Sequence, residues 1–338
     1  MSIFRFIGYF CSALSLSILI SCSNQTPNAT TSAPAAQSST QASSSMNHSM
    51  SGDRKININS AILSELDKLE AKLGVPALSN KIQASRPYGN IDELVAKNVV
   101  TQPQFDQIKD MVTIEDIKLE GEAKDIDYMT KLGLMKGHLL VAKELLDLQK
   151  PDQAEPHIGH PVEEIYADVE DQLNERKVQA FKEPLIALQD EVKAGAKDAA
   201  KVSTGFKSSM QSVDTAIAAL PQTQRTSPSF VLKTINGLLD TANSEYGAAI
   251  ADNKIAQLIE YQDSRGFITY ANELYQGIST QMAKEYPDAH KDIETTMAAL
   301  TKTWPTPTAP AAPVSTSDEV SKMVKTIEAS AQKVTKAS

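Results

Sequence analysis

Three of the five histidines in this chain fall close together, at His138, His157 and His160. Two of them sit in the run Pro156-His157-Ile158-Gly159-His160-Pro161-Val162-Glu163-Glu164. His160 and Glu164 are spaced i, i+4, so one helix face can present an imidazole and a carboxylate together. Glu163 is the alternative at i+3, pointing about 100° away from its neighbour. Further along, Glu260 and Asp263 are spaced i, i+3 and share a face, with Tyr261, Arg265 and Tyr270 nearby. Nitrogen and carboxylate donors in that mixture suit a borderline divalent ion such as iron, copper or zinc. The candidate ligand set is therefore His138, His157, His160, Glu163, Glu164, Glu260 and Asp263. Simpler roles stand beside it. A histidine next to a helix-opening proline can act as a cap, paired glutamates favour a helix N-terminus through its dipole, and Asp263 can pair with Arg265 on a solvated face. Proton transfer is a further use of the same groups. His290 reads as incidental, in a turn after Tyr286-Pro287.

These residues need helices to bring them together. Apolar residues recur at helical spacing through most of the chain, and strand-type alternation is almost absent. Only 5% of the 338 residues are aromatic and 14 are glycine. The expected class is all-α. An antiparallel helical bundle is expected over 120–302, a proline-rich strap over 303–315 and a last amphipathic helix over 316–338. His138 lies mid-helix. Residues 151–160 read as a loop carrying His157 and His160, with Pro161 opening the next helix through Leu173. A long pair follows at 179–194 and 196–219, with Gly195 as a kink between them. Helices at 228–251, 254–285 and 288–302 complete the bundle. If the His138 helix packs against the loop, the imidazoles converge to within a few ångströms, and separations beyond about 10 Å would exclude a shared ion.

The N-terminus reads as an export signal. Arg5 precedes an apolar stretch, Phe6 to Ile20, too short and serine-rich to span a bilayer. Leu19-Ile20-Ser21-Cys22 fits a lipobox, with residues 1–21 removed and lipid placed on Cys22. An ordinary signal peptide with an incidental cysteine is the alternative. Cys11 leaves with the signal, so no internal disulfide is expected in an exported chain. Ser23 after the cysteine resembles lipoproteins sorted to the outer membrane. Residues 22–52 are too polar to bury a core and read as a tether reaching roughly 30 Å. Within it, Met46-Asn47-His48-Ser49-Met50 carries soft ligands suited to copper.

Residues 53–114 read as a separate module of four short helices. The first is capped by Asn59 or Ser60 and runs to Leu73; the others cover about 77–85, 91–97 and 103–112. The opening Ile56-Asn57-Ile58-Asn59, then Leu73-Gly74-Val75, Arg86-Pro87-Tyr88, Asp92-Glu93-Leu94 and Phe105-Ile108-Val112 resemble the tandem helix-hairpin-helix module of ComEA-type competence receptors. They also resemble the small extrinsic lumenal subunit of photosystem II. The first resemblance implies DNA contact through Gly74, Lys81, Arg86 and Lys97, the second a docking role toward an envelope protein. The charge pattern disfavours DNA. Asp53 to Val112 carries eight basic and eight acidic residues, and the whole chain is −9, whereas a phosphate-binding surface needs surplus positive charge. The first turn keeps Gly74 but loses an amide to Pro76, and the second, Lys97-Asn98-Val99-Val100-Thr101, has no glycine.

Two further resemblances concern the bundle. Gly159-His160-Pro161-Val162-Glu163 is similar to the histidine–glutamate motif of imelysin-like helical domains in periplasmic iron uptake. Glu245-Tyr246-Gly247-Ala248-Ala249-Ile250-Ala251-Asp252-Asn253-Lys254, followed by Glu260-Tyr261-Gln262-Asp263, resembles the extracytoplasmic helical segment of iron permeases, with Asn253 in place of a turn glycine. The permeases' membrane-spanning Arg-Glu-x-x-Glu motif is missing from this sequence, which excludes transport. Hydrolase signatures are missing too: the sequence has no Gly-x-Ser-x-Gly, no His-Glu-x-x-His and no phosphate loop. The expectation is a non-enzymatic, lipid-anchored cell-envelope protein on the periplasmic face. Its bundle would bind a divalent transition metal and its small module a partner. A DNA-uptake lipoprotein and a structural assembly lipoprotein without ligand are the alternatives.

Overall fold

The computed structural model describes residues 55–116 and 118–336. The signal, Cys22 and the Met46–Met50 run lie outside the described residues. The fold is all-α, with two minimal strand pairs.

The small module contains β1 (Ile56–Asn57), α1 (Leu63–Leu73), α2 (Leu78–Ala84), α3 (Glu93–Ala96), α4 (Gln102–Ile108) and β2 (Val112–Thr113). Its two ends meet in a parallel pairing of β1 with β2 that sequence patterning did not suggest. Two residues per strand are too few to show alternation. Ile58, Leu66, Leu69, Leu78, Ile82, Leu94 and Ile108 form a fully buried core. The first helix starts later than expected, because Asn59 has other work. Its side chain holds Tyr88 through two bonds, Asn59 Nδ2 to the Tyr88 carbonyl (2.9 Å) and the Tyr88 N–H to Asn59 Oδ1 (2.7 Å). Gly74 ends α1 at φ +61°, where a side chain would strain the backbone.

The larger part begins with α5 (Gly121–Asp147) and α6 (Pro151–His160). The expected loop at 151–160 is helical. Pro156 and Pro161 each withhold a ladder N–H, yet burial of His157 and Ile158 keeps the segment wound. Pro161–Ile165 form a π turn, with the Tyr166 N–H reaching back five residues to the Pro161 carbonyl. The chain then runs straight on into α7 (Tyr166–Glu175). Next come α8 (Lys182–Lys193) and α9 (Ala199–Ala218). Gly195 at φ +90° reverses the chain between them, so the expected kink is a turn between packed helices.

After the short α10 (Gln222–Arg225) comes α11 (Pro228–Ala249). A hairpin of β3 (Ile250–Ala251) and β4 (Lys254–Ile255) then replaces the helix ends expected there. Asp252 and Asn253 at φ +51° and +56° make its turn, the backbone that two-residue hairpins prefer. The chain closes with α12 (Leu258–Glu285), α13 (Pro287–Leu300) and α14 (Ser317–Thr335), the last opened by a Thr316–Glu319 capping box. α11 packs on α12 and α14, α13 on α14 and α12, and α5 lies against both α11 and α12. Among the described residues, no helix is long and apolar enough to cross a membrane.

Two details of this packing set up the site. At Gly137 and Gly266 the backbones of α5 and α12 touch, leaving no room for a Cβ at Gly266. The strap after α13 is pinned over the start of α12. Trp304 is buried and its indole N–H donates to Ser264 Oγ (2.7 Å), Tyr261 donates to the Thr306 carbonyl (3.1 Å), and Gln262 Nε2 donates to the Pro307 carbonyl (3.0 Å).

Candidate metal centre

The contact between Gly137 and Gly266 delivers their neighbours to one another. His138 follows Gly137 on α5, and Asp263 precedes Gly266 by about one turn on α12. His138 Nδ1 stands 2.6 Å from Asp263 Oδ1. The last turn of α6 adds His157, its Nδ1 also 2.6 Å from Oδ1, and His160, its Nδ1 3.4 Å from Oδ2. Ring centroids of His138 lie 6.3 Å from His157 and 5.3 Å from His160. One ligand atom each from His138, His160 and Asp263 fall within 4.8 Å of one another.

The three histidines do different work. Gln262 spends its Nε2 on the Pro307 carbonyl and on Gln153 Oε1 (3.2 Å), so its Oε1 is the acceptor that meets His157 Nε2 at 2.8 Å. His157 Nδ1 faces the Asp263 carboxylate. Both ring nitrogens therefore face oxygen acceptors, Gln262 Oε1 and Asp263 Oδ1. A ring so engaged offers no free nitrogen to a metal, which takes His157 out of the ligand set and makes it the group that positions Asp263. His138 is the opposite case. Its ring is 2% exposed, and its Nδ1 has the Asp263 oxygen nearby but no hydrogen bond of acceptable angle.

A cavity of about 140 Å³ opens beside this cluster, reached by His138, His160, Asp263, Glu164, Glu245, Glu260 and Asp67. Burial pushes Asp67 up to about 7, with help from Glu70 and Glu260. Burial, then the charge of Asp67, holds Glu245 well above the usual carboxylate range, and burial raises Glu260. Burial works against the charge on Asp263 too, but His138 and His157 outweigh it and hold this carboxyl well below its ordinary value. Burial lowers His138. For His160, Asp263 more than offsets burial and pushes the ring up to about 9.

The remaining candidates separate cleanly. Glu164 lines the cavity, and its Oε2 accepts the N–H of Leu63 (3.0 Å), closing the first turn of α1 from another part of the chain. Glu163 leaves the candidate set: it lies on the side of the helix facing Gln189, whose Nε2 is 3.4 Å away. The wider π turn separates the two glutamates, as their angular offset suggested. Arg265 does not pair with Asp263 but with Glu144, through bonds of 2.6 and 2.9 Å. Tyr261 is turned to the strap, and Tyr270 packs against Gly133. His290 is on α13 rather than in a turn, its Nδ1 2.8 Å from the Tyr275 hydroxyl. In the module, Lys81 donates to the Val99 carbonyl (3.1 Å), Arg86 to the carbonyls of Ile58 (2.8 Å) and Ala61, and Lys97 to those of Ser85 (3.1 Å) and Pro87. These cations staple the module internally, and Gly74 serves as a helix stop.

Sequence reasoning missed Asp67, Glu245 and Gln262. A signal existed for Glu245. It falls in register with Leu238, Leu239, Ala242, Tyr246 and Ala249 on the buried face of α11, where a lone carboxylate is out of place. Asp67 sits beside Leu66 and Leu69 in the same way.

Residues 221–338 match the family model of the iron permease-associated 4-helix bundle domain. The match spans α10 to α14, and so includes Glu245, Glu260 and Asp263 but not His138, His157, His160 or Asp67. No curated protein and no solved structure matches the chain.

Proposed function

We propose that this is a non-enzymatic, iron-handling protein of the cell envelope that holds one ferrous ion as cargo between His138, His160 and Asp263. The observation that carries the reading is the approach of those three ligand atoms to within 4.8 Å, at the wall of a polar cavity. Two ligands bonded tetrahedrally at roughly 2.1 Å stand about 3.4 Å apart, and His160 Nδ1 to Asp263 Oδ2 is 3.4 Å. His138 Nδ1, which makes no well-angled hydrogen bond although Asp263 Oδ1 stands 2.6 Å away, fits an ion as well, since buried polar atoms as a rule find a partner. Two imidazoles and a carboxylate with open positions suit iron(II), and the iron permease-associated match of residues 221–338 favours iron over copper or zinc. His157 and Gln262 hold Asp263 from behind.

The sequence of residues 1–22 supports export and lipid attachment at Cys22, which would keep the bundle at a membrane surface outside the cytoplasm. The module would serve an envelope partner. DNA capture is the weaker reading, because Lys81, Arg86 and Lys97 already donate to main-chain carbonyls. Metal analysis after anaerobic loading with Fe(II), and separately with Zn(II) and Cu(II), tests the proposal. One ion per chain is expected, lost in His138→Ala and His160→Ala. A chain that retains no metal contradicts it.

A further inference from the structure

We propose that Glu260 is the entry residue of the metal centre: it takes Fe(II) from solvent at the cavity mouth and passes it one helical turn inward to Asp263 and His160. This rests on the iron reading above and names the route by which that site is filled and emptied.

Glu260 is not among the ligands of the settled ion, which are drawn from His138, His160 and Asp263. It differs from them in depth. Along the first turns of α12, Ile259 is 37% exposed, Glu260 is half-buried and Asp263 is 2% exposed, and all three line the cavity. Residues three apart on a helix share a face, with Cβ atoms about 5–6 Å apart. That face leads from solvent to the ligand set in a single step.

Other carboxylates around the cavity are committed. Glu164 accepts the Leu63 N–H (3.0 Å) and faces Gln83 Nε2 (3.5 Å), and Asp67 accepts the Ser79 hydroxyl. Among the described residues, no neighbouring side chain hydrogen-bonds or ion-pairs with the Glu260 carboxylate. Its arm is free to meet an ion outside and turn inward. At the inner wall stands His138 Nδ1, buried and without a well-angled hydrogen bond, which independently marks the place of a ligand.

The step needs no redox chemistry. Hydrated Fe(II) exchanges one water for a Glu260 oxygen. It then exchanges that oxygen and further waters for Asp263 Oδ2 and His160 Nδ1, any proton on His160 leaving to solvent. A group that holds the ion in passage lowers the barrier in both directions, so its loss slows release as well as uptake.

The test uses the full chain and Fe(II) alone under anaerobic rapid mixing, with release followed by transfer to a chromogenic Fe(II) chelator. Glu260→Gln should slow both uptake and release by about tenfold, the lower end of what charge in a cleft contributes to rates, while one ion per chain is still held. Removing a ligand or a distant stabilising charge instead makes release faster, and removing a residue that only favours the helix end leaves it unchanged. Release that is unchanged or faster in Glu260→Gln therefore overturns this inference and leaves the iron reading standing. Loss of the ion from a Glu260→Gln chain of wild-type helicity makes Glu260 a ligand and also overturns it. A wild-type chain that takes up no Fe(II) overturns both readings.

Discussion

A Cβ placed on Gly266 would lie 2.2 Å from the carbonyl oxygen of Gly137. Through this pair α5 and α12 meet backbone to backbone, and His138 reaches Asp263 because of it. Gly266→Ala must push the helices apart. Overpacking of this kind costs about 1–3 kcal/mol or more. The expected outcome is a lowered denaturation midpoint together with loss of metal binding, read by chemical denaturation and by Fe(II) titration. A variant with wild-type affinity would show that the helix contact does not set the site.

Gln262 connects the proline-rich strap to His157. Gln262→Met preserves bulk but removes the acceptor for His157 Nε2 and the donor to the Pro307 carbonyl. Stability should fall by about 1–3 kcal/mol, the cost of buried groups left unpaired. Metal affinity should drop about tenfold or more, as for other supporting partners. Thermal melts and titration of the same sample separate the two effects.

Glu164→Ala leaves the Leu63 N–H without its acceptor. Loss of a helix cap costs about 1 kcal/mol, and here the cost falls on the contact between α1 and the rest of the protein. Faster amide exchange in the first turn of α1, with the core helices unchanged, is the expected result.

The pH dependence has a definite sign. Asp67 is raised in the fold to about 7 from 3.8, so its contribution is complete below 3.8 and lost as pH rises through 7. His160 is raised to about 9 from 6.5, so its contribution is present below 6.5 and lost as pH climbs through 9. His138 and Asp263, both lowered, act at the acid end, where their contributions disappear as pH falls. Metal-free protein should therefore lose stability between pH 6.5 and 9. Fe(II) affinity should rise over the same window, because bound protons must leave the ligands. Denaturation midpoints measured at pH 6.5 and 8.5, with and without Fe(II), check both trends.

The sequence carried the helices, because periodic apolar residues specify them directly. It also brought out His138, His160 and Asp263, the first two through the uneven clustering of histidines and the last through its i, i+3 spacing from Glu260. It misjudged residues 151–160, where Pro151 and Pro156, with Pro161 just beyond, argued for a loop but burial of His157 and Ile158 prevailed in the fold. His157 could not be told from a ligand, since its role depends on Gln262, 105 residues away. Asp67 and Glu245 were hidden for the same reason: a carboxylate on an apolar face is informative only once the element facing it is known.

The central claim is that iron sits between α5, α6 and α12. Anomalous diffraction at the iron edge, from crystals grown anaerobically with Fe(II), tests it most directly. One peak is expected, within bonding distance of His138, His160 and Asp263. No peak, or a peak elsewhere on the molecule, would contradict the account.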